Sequence, residues 1–222
     1  MNCKRQYLLC GHYGSGKTNI AVNLATLIKE EHPEKDVAVM DLDIVNPYYR
    51  TSDSKAFFEE KGIRLISSPY AGSNLDAPAL PDEIYSAIDI PDQISIIDVG
   101  GDDRGALALG RLSGAIRKAA DYEMFMVINC YRPLTKTPEE TVEVFQEIET
   151  AAGLPFTAII NNSNLGIETE EETVLKSLEY AKKVSELTGL PLVATAVEEK
   201  LFSKLNGKIE HLFPMKLQER PV

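Results

Sequence analysis

The 222-residue chain has no tryptophan, only three cysteines and three histidines, and no apolar run near the ~20 residues that a membrane-spanning helix needs. Cys3, Cys10 and Cys130 are odd in number and far apart, so they outline neither a disulfide framework nor a Cys-x-x-Cys metal site. Basic residues are also scarce: 23 Lys and Arg face 34 Asp and Glu, for a net charge of −11. That balance argues against nonspecific nucleic-acid binding and against docking on anionic membranes, both of which need a basic face. Met1–Gln6 leads into only a short apolar strand and then glycines, so no signal peptide is expected. Together these features suggest a reducing, cytoplasmic setting.

What is present is an ordinary globular composition, 44% hydrophobic and 26% charged. Short β-rich runs occur at Tyr7–Cys10, Val37–Met40, Ile63–Ile66, Ile94–Ile97, Met124–Ile128, Phe156–Ile160 and Leu192–Ala194. Most are apolar throughout, as strands covered on both faces would be. Helical patterns lie between them. The first carries Ile20, Ala21, Leu24, Ala25, Leu27 and Ile28 in one stripe. Thr137-Pro138-Glu139-Glu140 and Thr169-Glu170-Glu171-Glu172 read as capped helix starts, and Gly189 with Pro191 reads as a stop. The pattern predicts one α/β domain over residues 1–222, a mostly parallel sheet of about seven strands with helices on both faces. Ser67–Asp82 is the longest irregular stretch. Beyond Lys200, the residues Leu201, Phe202, Leu205, Ile209, Leu212 and Phe213 share one helical face, predicting a terminal helix docked on the sheet.

The sharpest signal is Gly11-His12-Tyr13-Gly14-Ser15-Gly16-Lys17-Thr18, with Asn19 next. It matches G-x-x-x-x-G-K-[ST] and sits between a strand and an amphipathic helix. Glycines at 14 and 16 let backbone N–H groups turn in around a phosphate, and the helix N-terminus adds partial positive charge. Lys17 is placed to reach the outer phosphates and Thr18 to ligate Mg²⁺. The bland alternative is a turn that only caps a helix.

Two strands end in acids. Asp98 follows Ile94–Ile97 and reads as a carboxylate that holds Mg²⁺, directly or through water. Gly101 completes D-x-x-G, where a backbone N–H can approach a γ-phosphate. In Asp41-Leu42-Asp43, Asp43 is a candidate Mg²⁺ ligand or water-orienting acid. Asp102 or Asp103 can equally cap the next helix. Asn161 and Asn162, after Phe156–Ile160, are candidates for the base because an amide both donates and accepts. A guanine site usually carries N-K-x-D; here Asn164 stands in place of the Asp and no Lys is present. ATP is therefore preferred over GTP. Ala196-Val197-Glu198 is a candidate backbone lid over the base.

The run G-H-Y-G-S-G-K-T-N-I-A-V-N-L-A, then D-L-D, then D-V-G-G-D, resembles the MinD/ParA-type ATPases. That group includes the nitrogenase iron protein and metal-cofactor maturation ATPases, within the SIMIBI class of P-loop proteins. The likeness covers roughly the first 130 residues. It implies ATP and Mg²⁺ as ligands, a homodimer with nucleotide between protomers, and a protein partner that reads the nucleotide state. It also implies that Asp43 lies in a first switch and positions water, whereas Asp98–Asp102 resembles a second switch. The chain departs from that group at His12, where a second lysine is usual. Arg104 and Arg132 are candidate replacements for the missing cation. No cysteine closely follows Asp102, so a bridging iron–sulfur cluster is not expected.

The leading expectation is an ATP-hydrolysing switch acting on a protein partner, with metal or cofactor assembly as one setting. One alternative is a small-molecule kinase or ATP-dependent ligase resembling dethiobiotin synthetase, with Tyr48, Tyr49, Arg50 and the Ser67–Asp82 loop lining its pocket. Another is a nucleotide-stabilised scaffold with negligible turnover.

Overall fold

The computed structural model describes residues 3–43, 51–67 and 82–217. Eight strands form one parallel sheet in the order β3-β2-β4-β1-β5-β6-β7-β8. The strands are β1 (Gln6–Cys10), β2 (Val37–Leu42), β3 (Arg64–Ser67), β4 (Ile94–Val99), β5 (Tyr122–Ile128), β6 (Ala158–Asn161), β7 (Leu192–Glu198) and β8 (Leu212–Met215). The helices are α1 (Lys17–Glu31), α2 (Lys55–Lys61), α3 (Asp82–Ile88), α4 (Asp103–Ala119), α5 (Pro138–Ala152), α6 (Glu171–Thr188) and α7 (Glu199–Leu205).

Strand alternation builds the core on both faces. Leu8, Met40, Ile97, Met126 and Ile159 point to one side, where they meet Leu109, Leu112 and Ile116 of α4, Ala152 of α5 and Val184 of α6. Their neighbours Leu9, Val39, Ile96, Val127 and Ile160 point the other way, against Ile20, Ala21, Ala25 and Ile28 of α1 and Phe58 of α2. A strand with two apolar faces can sit only in the middle of such a layer, which is why these runs read as continuously hydrophobic.

All seven expected strands are present. The tail differs from expectation: it is not one helix. α7 stops at Leu205, Gly207 takes a left-handed φ of 82°, and Leu212–Met215 returns as β8 beside β7. Asn206-Gly207 provides a break that no helical stripe overrides. Pro214, which lacks an N–H, is tolerable because β8 is an edge strand. β7 continues through Glu198, so Ala196 and Val197 lie in the ladder beside β8 rather than in a loop.

The α6 start is also shifted by one residue. Thr169 closes the preceding turn instead, its hydroxyl donating to the Gly166 carbonyl at 2.6 Å and accepting from Leu165 N–H at 2.9 Å. Glu170 then caps α6 in reciprocal contact with Thr173. Thr137 caps α5 and Gly189 ends α6, as expected.

Candidate functional site

The strand order sets the site. β1 lies between β4 and β5, so the loop after β1 is flanked on one side by the β4 end and on the other by the β5 end. In parallel α/β sheets ligands bind outside the carboxyl ends of the strands.

Three of these strand ends turn by the same device. Asp41 Oδ1 accepts from Asp43 N–H at 2.9 Å, Asn129 Oδ1 from Tyr131 N–H at 3.0 Å, and Asn161 Oδ1 from Ser163 N–H at 3.1 Å. Each short Asx side chain mimics a backbone turn and lifts the chain off its strand. Asp41 is therefore a buried turn-former that positions Asp43.

The Gly11–Thr18 loop opens straight into α1. Gly16 occupies the cap position with φ 88°, and α1 has neither a side-chain cap nor an acidic residue in its first turn. By contrast, the Asp102 side chain caps α4 by accepting from Gly105 N–H at 3.0 Å, which gives Asp102 a structural role. The uncapped N–H groups of α1 are a ready anion site. Among the other loop residues, Ser15 is buried, Tyr13 is exposed, and Asn19 sits in the first turn of α1. His12 folds onto its own loop, with Nδ1 3.1 Å from the Tyr13 carbonyl, to which it donates.

Lys17 is almost fully buried, and its ammonium donates to the Gly11 carbonyl at 3.0 Å and the His12 carbonyl at 3.3 Å. Burial pushes it below the usual lysine range, with Asp98 and Asp43 opposing the shift. Asp98 is pushed up to about 6 by burial, with Lys17 and the Thr18 hydroxyl opposing. The two charges offset only part of each other's desolvation.

Thr18 Oγ1 donates to Asp98 Oδ2 at 2.7 Å, and Thr51 Oγ1 donates to the same oxygen at 3.1 Å. Asp98 Oδ1 is buried without a hydrogen-bond partner among the described residues. Asp43 lies close by: a Cβ placed on Gly100 would sit 3.5 Å from Asp43 Oδ1. At Gly101 a Cβ would fall 2.6 Å from Tyr13 N and Cα and 2.8 Å from Lys17 Nζ, so only glycine lets the β4 turn approach the loop this closely. The structure thus brings together Gly11–Thr18, Asp43, Asp98 and Gly101. Thr51 was not identified from the sequence, because its partner is 47 residues away and no motif spans them.

This donor set fits Mg²⁺. An unpartnered buried carboxylate oxygen beside a threonine hydroxyl matches the one or two protein oxygens that Mg²⁺ takes when phosphates complete its shell. Among the described residues no group of three or more His, Cys, Asp or Glu could hold a metal without a ligand's help.

On the β5 and β6 side, Asn162 donates from Nδ2 to the Ser15 carbonyl at 2.7 Å, bracing the loop from below. Its Oδ1 is buried with no partner among the described residues. Asn161 is fully buried, and its Nδ2 donates to Ser177 Oγ at 2.9 Å. Asn164 donates to the Asn162 carbonyl at 2.7 Å and accepts from Gly166 N–H at 3.0 Å. Arg132 reaches the loop, with Nε donating to the Gly14 carbonyl at 2.9 Å; Arg104 sits exposed in the first turn of α4. Cys10 is buried in β1 and its thiol is pushed up to about 12 by burial, which makes it a packing residue. Tyr48, Tyr49, Arg50 and residues 68–81 lie outside the described residues.

No protein-family model and no curated protein sequence matches the chain. Solved structures do share its fold. The signal recognition particle receptor FtsY from Elizabethkingia anophelis, in complex with GDP, superposes with a TM-score of 0.55 at 17% identity, over 89% of this chain and 58% of that one. The cell division protein FtsY from Thermotoga maritima gives 0.59 at 20% identity, over 89% and 63%. The 54 kDa signal recognition particle protein from Aeropyrum pernix, in complex with GDP, gives 0.54 at 19% identity, over 86% and 41%. The chain therefore spans 41–63% of the length of these three structures. No helix among the described residues is long and apolar enough to cross a membrane. The eight-stranded parallel sheet, the helices packed on it and these superpositions establish the chain as a single α/β domain with the fold of a P-loop NTPase of the SIMIBI type.

Proposed function

We propose that this protein is a Mg²⁺-dependent, ATP-binding and ATP-hydrolysing switch that works as a homodimer on a protein partner in the cytoplasm. The observation that carries the reading is the convergence at one point of an uncapped helix start, a buried lysine whose hydrogen bonds among the described residues go to loop carbonyls, and Asp98 with one oxygen unpartnered among those residues. Lys17 and Asp98 offset only part of each other's burial, and a magnesium-bound triphosphate would bring a further anion to the first and a cation to the second.

On binding, Lys17 would leave the Gly11 and His12 carbonyls for the phosphates, while loop N–H groups and the α1 start hold the chain of phosphates in line. Thr18 and Asp98 would hold Mg²⁺, which supplies charge neutralisation across the terminal phosphates. Asp43 orients a water whose oxygen attacks the γ-phosphorus. The bond from that phosphorus to the bridging oxygen breaks, giving ADP and inorganic phosphate. Gly101 reports loss of the γ-phosphate through its close approach to Tyr13 and Lys17. Thr51, tied to Asp98, links residues 51–61 to the same event.

Two of the compared structures contain GDP, in keeping with a nucleotide site on this fold. Here the base assignment favours adenine. Both ends of the Asn164 amide are engaged within the β6–α6 turn, and no Asp stands there to accept from guanine. Asn161, expected at the base, is instead fully buried with Oδ1 on Ser163 N–H and Nδ2 on Ser177, so it serves the turn, and Asn162, whose Oδ1 is unpartnered among the described residues, alone stays proposed for the base. Metal or cofactor assembly as the setting rests on the sequence resemblance alone.

Phosphate release with Mg·ATP and Mg·GTP tests this reading. Slow ATP hydrolysis that GTP does not match is expected. Consumption of ATP only in proportion to an added metabolite would instead favour group transfer. Binding without release would favour a scaffold.

A further inference from the structure

The Gly11–Thr18 loop has only one lysine, and the His12 ring is turned back onto the Tyr13 carbonyl of its own loop. Arg132, however, lies against Gly14. Besides the 2.9 Å bond from Nε to the Gly14 carbonyl, a Cβ on Gly14 would sit 3.5 Å from both Cδ and Nε of Arg132. That bond uses one of the guanidinium's five N–H donors; neither η nitrogen has a protein partner among the described residues, and no carboxylate there pairs with it.

The turn that carries Arg132 is closed by several hydrogen bonds. The Asn129 carbonyl accepts from Arg132 N–H at 3.2 Å and from the buried Thr135 hydroxyl at 2.8 Å, and Asn129 Oδ1 holds Tyr131 N–H. Leu134 takes a left-handed φ of 62°, which a leucine adopts only when its surroundings impose it. A cation on such a turn loses little freedom when it meets a ligand.

Its direction of approach is informative. Asp98, Asp43 and Gly101 reach the loop from the β4 flank, with Gly101 against Tyr13. Arg132 comes from β5, on the opposite flank, against the next loop residue. We propose that Arg132 is a nucleotide-binding residue, the second cation of the phosphate cradle, supplied within the same chain and contacting the part of the nucleotide that hydrolysis retains. This rests on the nucleotide site proposed above. Because its contact is to the retained part, Arg132 strengthens ATP and ADP binding alike and leaves the chemical step alone.

The test is titration calorimetry of Mg·ATP and Mg·ADP, with steady-state phosphate release, on wild type, Arg132→Ala, Arg132→Gln and Arg132→Lys, each first checked for a wild-type-like melting transition. Arg132→Ala should weaken both nucleotides by the same factor, roughly 10- to 100-fold, as expected for a lost charge-assisted hydrogen bond. KM should rise, kcat should stay within about twofold by the logic of uniform binding, and Arg132→Lys should recover part of the affinity. Three results would overturn the proposal. One is wild-type affinity in Arg132→Gln, which keeps a donor for Gly14 but no charge and would leave Arg132 as a loop brace. Another is loss confined to ATP. The third is a fall in kcat at unchanged KM. Failure of the nucleotide reading is separately visible, because wild type itself would bind neither ligand, and the proposal would fall with it.

Discussion

The two flanks of the phosphate loop differ in kind. On the β4 flank the contacts are charged and incomplete: Asp98 carries an unpartnered oxygen, and Lys17 is buried among carbonyls. On the β5 and β6 flank they are chiefly neutral amide contacts, satisfied apart from Asn162 Oδ1: Asn162 holds Ser15, Asn129 and Asn161 close their turns, and Asn164 is engaged at both ends. An electrostatically incomplete flank has something to gain from a ligand, whereas a satisfied one holds the frame still. Reactivity belongs to the first and geometry to the second, with Arg132 the charged exception on the second.

That division can be broken, most severely at Lys17. Lys17→Ala removes the main phosphate cation and should lower kcat/KM for Mg·ATP by about 1,000-fold, the upper range for one preorganised electrostatic group. Phosphate-release kinetics would show it, and retained turnover would erase the distinction between flanks. Asp43→Asn should keep nucleotide affinity but slow hydrolysis by about 100-fold, as loss of a water-orienting base does; comparing binding with single-turnover rates separates the two effects. On the other flank, Asn162→Ala should act on the frame. It removes the bond to Ser15 and should cost about 1–3 kcal/mol of unfolding free energy, measured by denaturant titration.

The smallest effect concerns pH. The Asp98 carboxyl titrates near 6 in the folded chain against an ordinary 3.8, so the folded form holds its proton more tightly than the unfolded one. Its contribution to stability is fully present below about 3.8 and is lost as pH rises through about 6. Asp98→Asn should therefore raise the melting temperature of the ligand-free protein at pH 7.5, with the gain shrinking toward pH 5, while Mg²⁺-dependent turnover falls. A gain independent of pH would contradict the burial argument.

The same contrast explains what could be read from the sequence. The β4 flank and the loop were legible because their chemistry is contiguous: G-x-x-x-x-G-K-T, D-L-D and D-x-x-G each place their groups within a few residues. Most of the seven expected strands were legible because burial on both faces makes them apolar throughout; β3, at the sheet edge and only partly buried, was legible from its short β-rich run alone. β8 was not, because Leu212 and Phe213 extend a helical stripe begun at Leu201, and only Asn206-Gly207 marks the change. Thr51 and the Arg132–Gly14 bond join residues 47 and 118 positions apart, so no local pattern reports them. Thr169 was assigned to the wrong cap because two turns compete for one hydroxyl, and the earlier one takes it.

The most direct measurement is titration calorimetry of the ligand-free protein with Mg·ATP beside the Lys17→Ala variant. Saturable heat in the wild type, reduced when Mg²⁺ is chelated and lost in the variant, is the expected result. No heat with any nucleoside triphosphate, or equal affinity in the variant, would contradict the account.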